Sequence, residues 1–170
     1  MVTLAFAQTM ARYNAWMNGR LYELCAQLPD SERKKDAGAF FKSIHGTLNH
    51  LLLGDRIWLG RFIGRPFAAT SLAQELYADF SELRAQRAAT DAAISTWVST
   101  LKEEDLSGTL TFMSIVNPTQ RQYPLAFAVA HFFNHQTHHR GQLTTLLSQR
   151  GIDPGITDLL WLPDSWKAKS

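Results

Sequence analysis

Four of the six histidines in this chain fall inside nine residues: His131, His135, His138 and His139. They sit in a stretch whose apolar residues recur at helical intervals. Positions i and i+4 of a helix stack on one face, so His135 and His139 can aim two imidazoles at one point. Neutral imidazole is the commonest protein ligand for zinc, nickel and similar ions. A third histidine from another element would complete a metal site with a free coordination position. Such a position points to chemistry rather than to a purely structural ion.

Angle sorts the four. Leu125, Val129, Phe132, Leu143 and Leu147 define the buried direction of this helix. His139 falls about 50° from the centre of that stripe and His135 about 90°. His131 lies further round, and His138 further still, towards solvent. The pair with ligand spacing is therefore His135 and His139; the competing reading makes all four ordinary hydrogen-bonded histidines. An earlier helix offers His45 and His50 as the third ligand. Its main stripe leaves both off-centre, while Leu53 and Ile57 form a second apolar side that His50 borders. Angle does not choose between them. Asp55 lies on the main stripe and needs a partner, because burying a lone carboxylate is costly. Arg56, Arg61 or Arg140 can supply one, or Asp55 can orient a ligand histidine.

Four helical segments must position these residues. The first covers residues 4–28, carries Tyr13, Trp16, Met17, Leu21 and Leu24 at helical spacing, and is stopped by Pro29 and Asp30. The second covers 40–63 and ends at Gly64 and Pro66; the third covers 71–101, with Leu72, Leu76, Phe80, Leu83, Ile94 and Trp97 on one side. Residues 110–116 and 119–123 read as two short strands around the Asn117-Pro118 turn. Pro124 opens the fourth helix, which runs to Arg150 before Gly151. The expected fold is all-α: one domain over residues 1–170, an up-down four-helix bundle with a small hairpin before the last helix.

Composition narrows the function. Hydrophobic residues at 45% against 19% charged describe a globular chain, not a disordered one. A net charge of +2, with Arg33-Lys34-Lys35 as the only basic run, gives no surface for nucleic acid. No apolar stretch reaches membrane-spanning length, and no signal peptide is visible. The single cysteine, Cys25, lies in a helical pattern and reads as a buried thiol in a reducing, cytoplasmic compartment.

Three motifs carry a resemblance. They are Tyr13-Asn14-x-Trp16-x-Asn18, then Asn49-His50 with Gly54-Asp55-Arg56 and Trp58, then Asn134-His135-x-x-His138-His139-Arg140-Gly141-Gln142. Together they resemble the DinB family of damage-inducible proteins, which is unrelated to the translesion polymerase of the same name. The resemblance covers nearly the whole chain. It implies a four-helix bundle, commonly dimeric, with a divalent ion held by His50, His135 and His139. His45, His131 and His138 would then be non-ligands. Zinc or nickel is the expected ion, with manganese or iron as alternatives. Some relatives use low-molecular-weight thiols in S-transfer or isomerisation, so a small-molecule substrate such as a low-molecular-weight thiol is expected.

Two functions follow as expectations: a metal-dependent transferase or hydrolase, or a metal-binding stress-response protein without turnover. A homodimer is expected from the third-helix surface and from the tail with Trp161 and Trp166.

Overall fold

A computed structural model describes residues 2–163, and the chain is mostly helical with one small antiparallel sheet. In order the elements are α1 (Leu4–Ala26), α2 (Asp30–Lys34), α3 (Ile44–Phe62), α4 (Phe80–Thr100), α5 (Glu103–Leu106), β1 (Thr109–Met113), β2 (Gln120–Pro124) and α6 (Leu125–Ser148). A single 3-10 turn, Leu159–Trp161, follows.

Three of the four long helices start where the sequence offers a side-chain cap. Thr3 accepts from the Phe6 amide, Ser43 from Gly46 and Asp79 from Glu82. Each thereby satisfies one backbone donor that the first turn leaves free. Pro124 stands just ahead of α6, as the last residue of β2, and the Leu125 amide turns back to the Gly108 carbonyl. Gly151 ends the α6 region with φ +74°, a conformation that favours glycine.

The long helices interlock in pairs: α1 packs on α4 and α6, and α3 packs on α4 and α6. Their shared interior holds Met17, Leu21, Leu48, Leu52, Ile94 and Phe132, all essentially inaccessible. Cys25 is fully buried there, and burial pushes its thiol up to about 12, so it is an inert core residue. The β1–β2 hairpin pairs Thr109 with Pro124 through Met113 with Gln120. It lies against α3 and α6, where Phe112 meets Trp58 at 5.4 Å between ring centroids.

The expected third helix is too long at its start. Residues 71–79 form no helix; α4 begins at Phe80. The backbone groups of this segment are claimed by α3 instead. The Asn49 carboxamide oxygen accepts from the Leu76 and Tyr77 amides, and its nitrogen donates to the Tyr77 carbonyl. His45 Nε2 lies 2.9 Å from that same carbonyl. Leu72 and Leu76 therefore carry helical spacing without helical structure, because side chains supply the partners that a helix would.

The tail runs back over α1. Tyr13 donates to the Thr157 carbonyl, and Arg20 donates to the carbonyls of Pro154 and Ile156. Leu162 is buried, while Leu160 and Trp161 are 85% and 62% exposed. Trp166 lies outside the described residues.

Candidate metal centre

α3 delivers His50, and α6 delivers His135 and His139 one turn apart. The three predicted histidines come together: one ring nitrogen from each lies within 4.8 Å of the other two. His139 Nε2 stands 3.2 Å from His50 Nε2 and 3.1 Å from His135 Nε2.

The outward nitrogens determine what the inward ones can do. His50 Nδ1 lies 2.9 Å from the Leu72 carbonyl oxygen. A carbonyl only accepts, so Nδ1 carries the hydrogen and a neutral His50 presents a bare lone pair at Nε2. His139 Nδ1 lies 2.8 Å from Gln142 Oε1, while the amide nitrogen of Gln142 faces His138. That amide orientation again assigns the hydrogen to Nδ1 and leaves Nε2 bare. Two bare lone pairs therefore face each other across 3.2 Å, an arrangement that repels unless a cation lies between them.

The spacing fits such a cation. Imidazole nitrogens bind zinc at ~2.0–2.1 Å, which puts neighbouring ligand nitrogens ~2.9–3.4 Å apart for octahedral to tetrahedral angles. The imidazoles are also in the right protonation state. Burial pushes His50 down to about 4. Burial, followed by the neighbouring His139 and His50 rings, pushes His135 down to about 3. Burial lowers His139 as well. All three are neutral donors at neutral pH.

Packing fixes the rings from several sides. Phe41 stacks on His50 at 3.7 Å and 16°, and meets His139 edge-on at 5.5 Å. Behind His135 stands Gly54, where an added Cβ would come within 3.1 Å of the His135 ring. Asp55 follows immediately and accepts from Gln136 at 2.8 Å, so residues beside Gly54 and His135 tie α3 to α6.

The other histidines take other roles. His45 turns to the Tyr77 carbonyl, and His138 is exposed beside Gln142. His131 lies one turn before His135, with 6.0 Å between ring centroids and 4.9 Å from His131 to Trp58. On this side a cavity of about 550 Å³ opens. His50 and His135 line it, and Trp58, Phe112, Tyr123 and Phe127 contribute aromatic wall. No aspartate or glutamate is among its lining residues.

Asp55 does pair with an arginine, but with none of Arg56, Arg61 or Arg140. Its partner is Arg87 of α4, at 2.6 Å, and Arg87 also holds Asp91 at 2.8 Å. Burial pushes the Asp55 carboxyl up, and the Arg87 guanidinium opposes that. The i, i+4 spacing of Arg87 and Asp91 was a visible signal for this group. Gln142, three residues after His139, was equally legible as its orienting partner. Phe41 and the Leu72 carbonyl were not, because both act from irregular segments.

A family model described as the DinB family matches residues 1–169. A curated relative, Protein DinB of Bacillus subtilis (strain 168), is 27% identical over 159 residues, covering 90% of this chain and 91% of that protein. The crystal structure of a DinB-like protein from Bacillus cereus ATCC 10987 superposes with a TM-score of 0.58 at 18% identity, over 83% of this chain and 91% of that one. The motifs, the converging histidines and a match along almost the entire length agree, and the chain belongs to the DinB family.

Proposed function

We propose that His50, His135 and His139 hold a divalent ion and that the protein is a metal-dependent enzyme acting on a small molecule at the adjoining cavity. The observation that carries this reading is the convergence of three Nε2 atoms, His139 standing 3.2 Å from His50 and 3.1 Å from His135, with acceptor oxygens beside the outward Nδ1 atoms of His50 and His139. Three imidazoles suit zinc or nickel better than manganese, which prefers oxygen ligands. An ion held this way lowers the pKa of a thiol or water at its free position. The described lining of the cavity has no carboxylate, which favours thiol-dependent S-transfer over a hydrolysis that uses a carboxylate as general base. Of the chain's own groups, His131 is placed to take up a proton beside the ligands, and Phe41 covers two of them.

The same lack of a carboxylate among the described lining residues also suits a protein that holds metal without turnover. A panel of low-molecular-weight thiols offered with a generic electrophile separates the two: metal-dependent S-conjugation supports the enzyme, and its absence across the panel supports the binder. The ligand assignment is tested by elemental analysis of tag-free protein. His50→Ala, His135→Ala and His139→Ala should each lose the ion, and His138→Ala should keep it.

In this reading α1, α3, α4 and α6 form an up-down four-helix bundle within one domain that works in a reducing cytoplasm, without nucleic acid. The exposed Leu160 and Trp161 support a homodimer, which sedimentation at micromolar concentration would show as twice 19.2 kDa. No helix among the described residues is long and apolar enough to cross a membrane.

A further inference from the structure

The cavity beside the histidines carries a cationic side chain that no described carboxylate neutralises. Arg61, near the end of α3, lines it together with Arg121 of β2. The Arg61 guanidinium lies over the Phe112 ring at 3.9 Å and over Trp58 at 4.6 Å. These aromatic faces attract the guanidinium but offer no oxygen to accept from its N–H donors. Among the described residues no carboxylate comes within ion-pairing distance of Arg61.

The better-buried arginines differ. Arg87 holds two aspartates, Arg140 donates to Asn14 and Thr137, and Arg33 donates to the carbonyls of Cys25 and Leu28. Burial alone pushes the Arg61 guanidinium down to about 10, with no anion opposing the shift. A charge removed from water without a partner is costly, so a half-buried one beside an open cavity is a place for a ligand's anion.

The lining of the cavity is chemically divided. His50 and His135 bring neutral imidazoles; among the described lining residues the two arginines carry the fixed charges; apolar and aromatic side chains supply most of the remaining wall. We infer that Arg61, assisted by Arg121, binds an oxyanion of the substrate, and that the substrate is a small organic anion with an apolar or aromatic body. Its reacting group would extend from that body towards His50 and His135. This inference rests on the proposed metal site for the direction of the substrate, but not for the anion contact itself.

The anion contact can be tested without metal. Calorimetric titration of chelator-treated wild-type protein at pH 7.5 and low salt compares 3-phenylpropanoate with its neutral amide. The acid should bind about tenfold more tightly, as expected for hydrogen bonds to a charged group. Arg61→Gln should bring the two affinities within about twofold, while Arg61→Lys keeps part of the difference. Equal binding of acid and amide to the wild type overturns the inference with no variant needed. So does a preference that survives in Arg61→Gln and disappears in Arg121→Gln. Repeating the titration on zinc-treated protein separates the two proposals. If Arg61 discriminates acid from amide in a chain that takes up no zinc, the metal reading fails and the anion site stands.

Discussion

His50 and His135 are held at about 4 and about 3, against about 6.5 for an unperturbed imidazole. The folded state therefore binds fewer protons than the unfolded chain once the pH drops below 6.5. Stability of the metal-free protein is complete above 6.5 and declines as the pH falls towards 5, a trend a melting series would show. Metal affinity behaves differently. Three unshifted histidines would lose roughly 50-fold in zinc affinity between pH 7.5 and pH 6.0, from proton competition alone. This site should lose less than about threefold over that range in a chelator-competition titration; a loss near the larger value would contradict the depressed pKa values. Gly54 offers a complementary probe. Gly54→Ala puts a Cβ within 3.1 Å of the His135 ring, so the ring must shift by a few tenths of an ångström. Alanine is also favoured over glycine by about 1 kcal/mol inside a helix. The variant should keep or gain thermal stability while zinc affinity falls by roughly tenfold, as for disturbed ligand support. At this scale the sequence was informative about His135 and His139, because one helix's periodicity fixes their common face. Periodicity did not choose between His50 and His45, and only the resemblance at Asn49-His50 did, since His50 is oriented by a carbonyl, Leu72, from a segment without regular structure.

Among the elements, segment 71–79 is the one the site depends on and periodicity misreads. Asn49 and His50 are consecutive on α3 and both bond this segment, Asn49 through Leu76 and Tyr77, His50 through Leu72. The Asn49-His50 pair thus works as a unit: one side chain anchors the segment, and the segment orients the other. Asn49→Ala leaves two amides and a carbonyl without that partner, at about 1–3 kcal/mol for a stranded buried group. Thermal stability should drop by about that much, zinc affinity should fall by roughly tenfold, and amide exchange at Leu76 and Tyr77 should speed up. Unchanged exchange at those two amides would contradict the anchoring role. The hairpin, by contrast, was legible: strand-forming residues flank Asn117-Pro118, β2 lies within one residue of the expected ends, and β1 starts one residue early and stops three residues short at Met113.

Across the molecule, a buried polar network joins all four long helices. Asn14 and Asn18 of α1 donate to Asp91 of α4, Arg87 bridges Asp91 to Asp55 of α3, and Gln136 of α6 donates to Asp55. Arg140 of α6 closes the circuit on Asn14. An apolar core allows helices to slide by a turn, whereas these pairs satisfy one another in one alignment of α3 against α6. That alignment is also the one that brings His50 to His135 and His139. Arg87→Ala leaves two buried carboxylates facing one another and should cost about 3–5 kcal/mol in denaturant unfolding, as expected for breaking a buried ion pair from one side. A cost below about 1 kcal/mol would show that the network does not hold the helices. The family motifs name Asn14, Asn18, Asp55 and Arg140, yet Gln136, Arg87 and Asp91 are not among the named positions, and only the packing of α4 joins Arg87 and Asp91 to the rest. The central claim remains the convergence of three imidazoles on one ion, and X-ray absorption at the zinc edge of the loaded, tag-free protein tests it most directly. The structure predicts three imidazole nitrogens at ~2.0–2.1 Å with a remaining light-atom ligand; a first shell without imidazole scattering, or one containing the Cys25 sulfur, would contradict it.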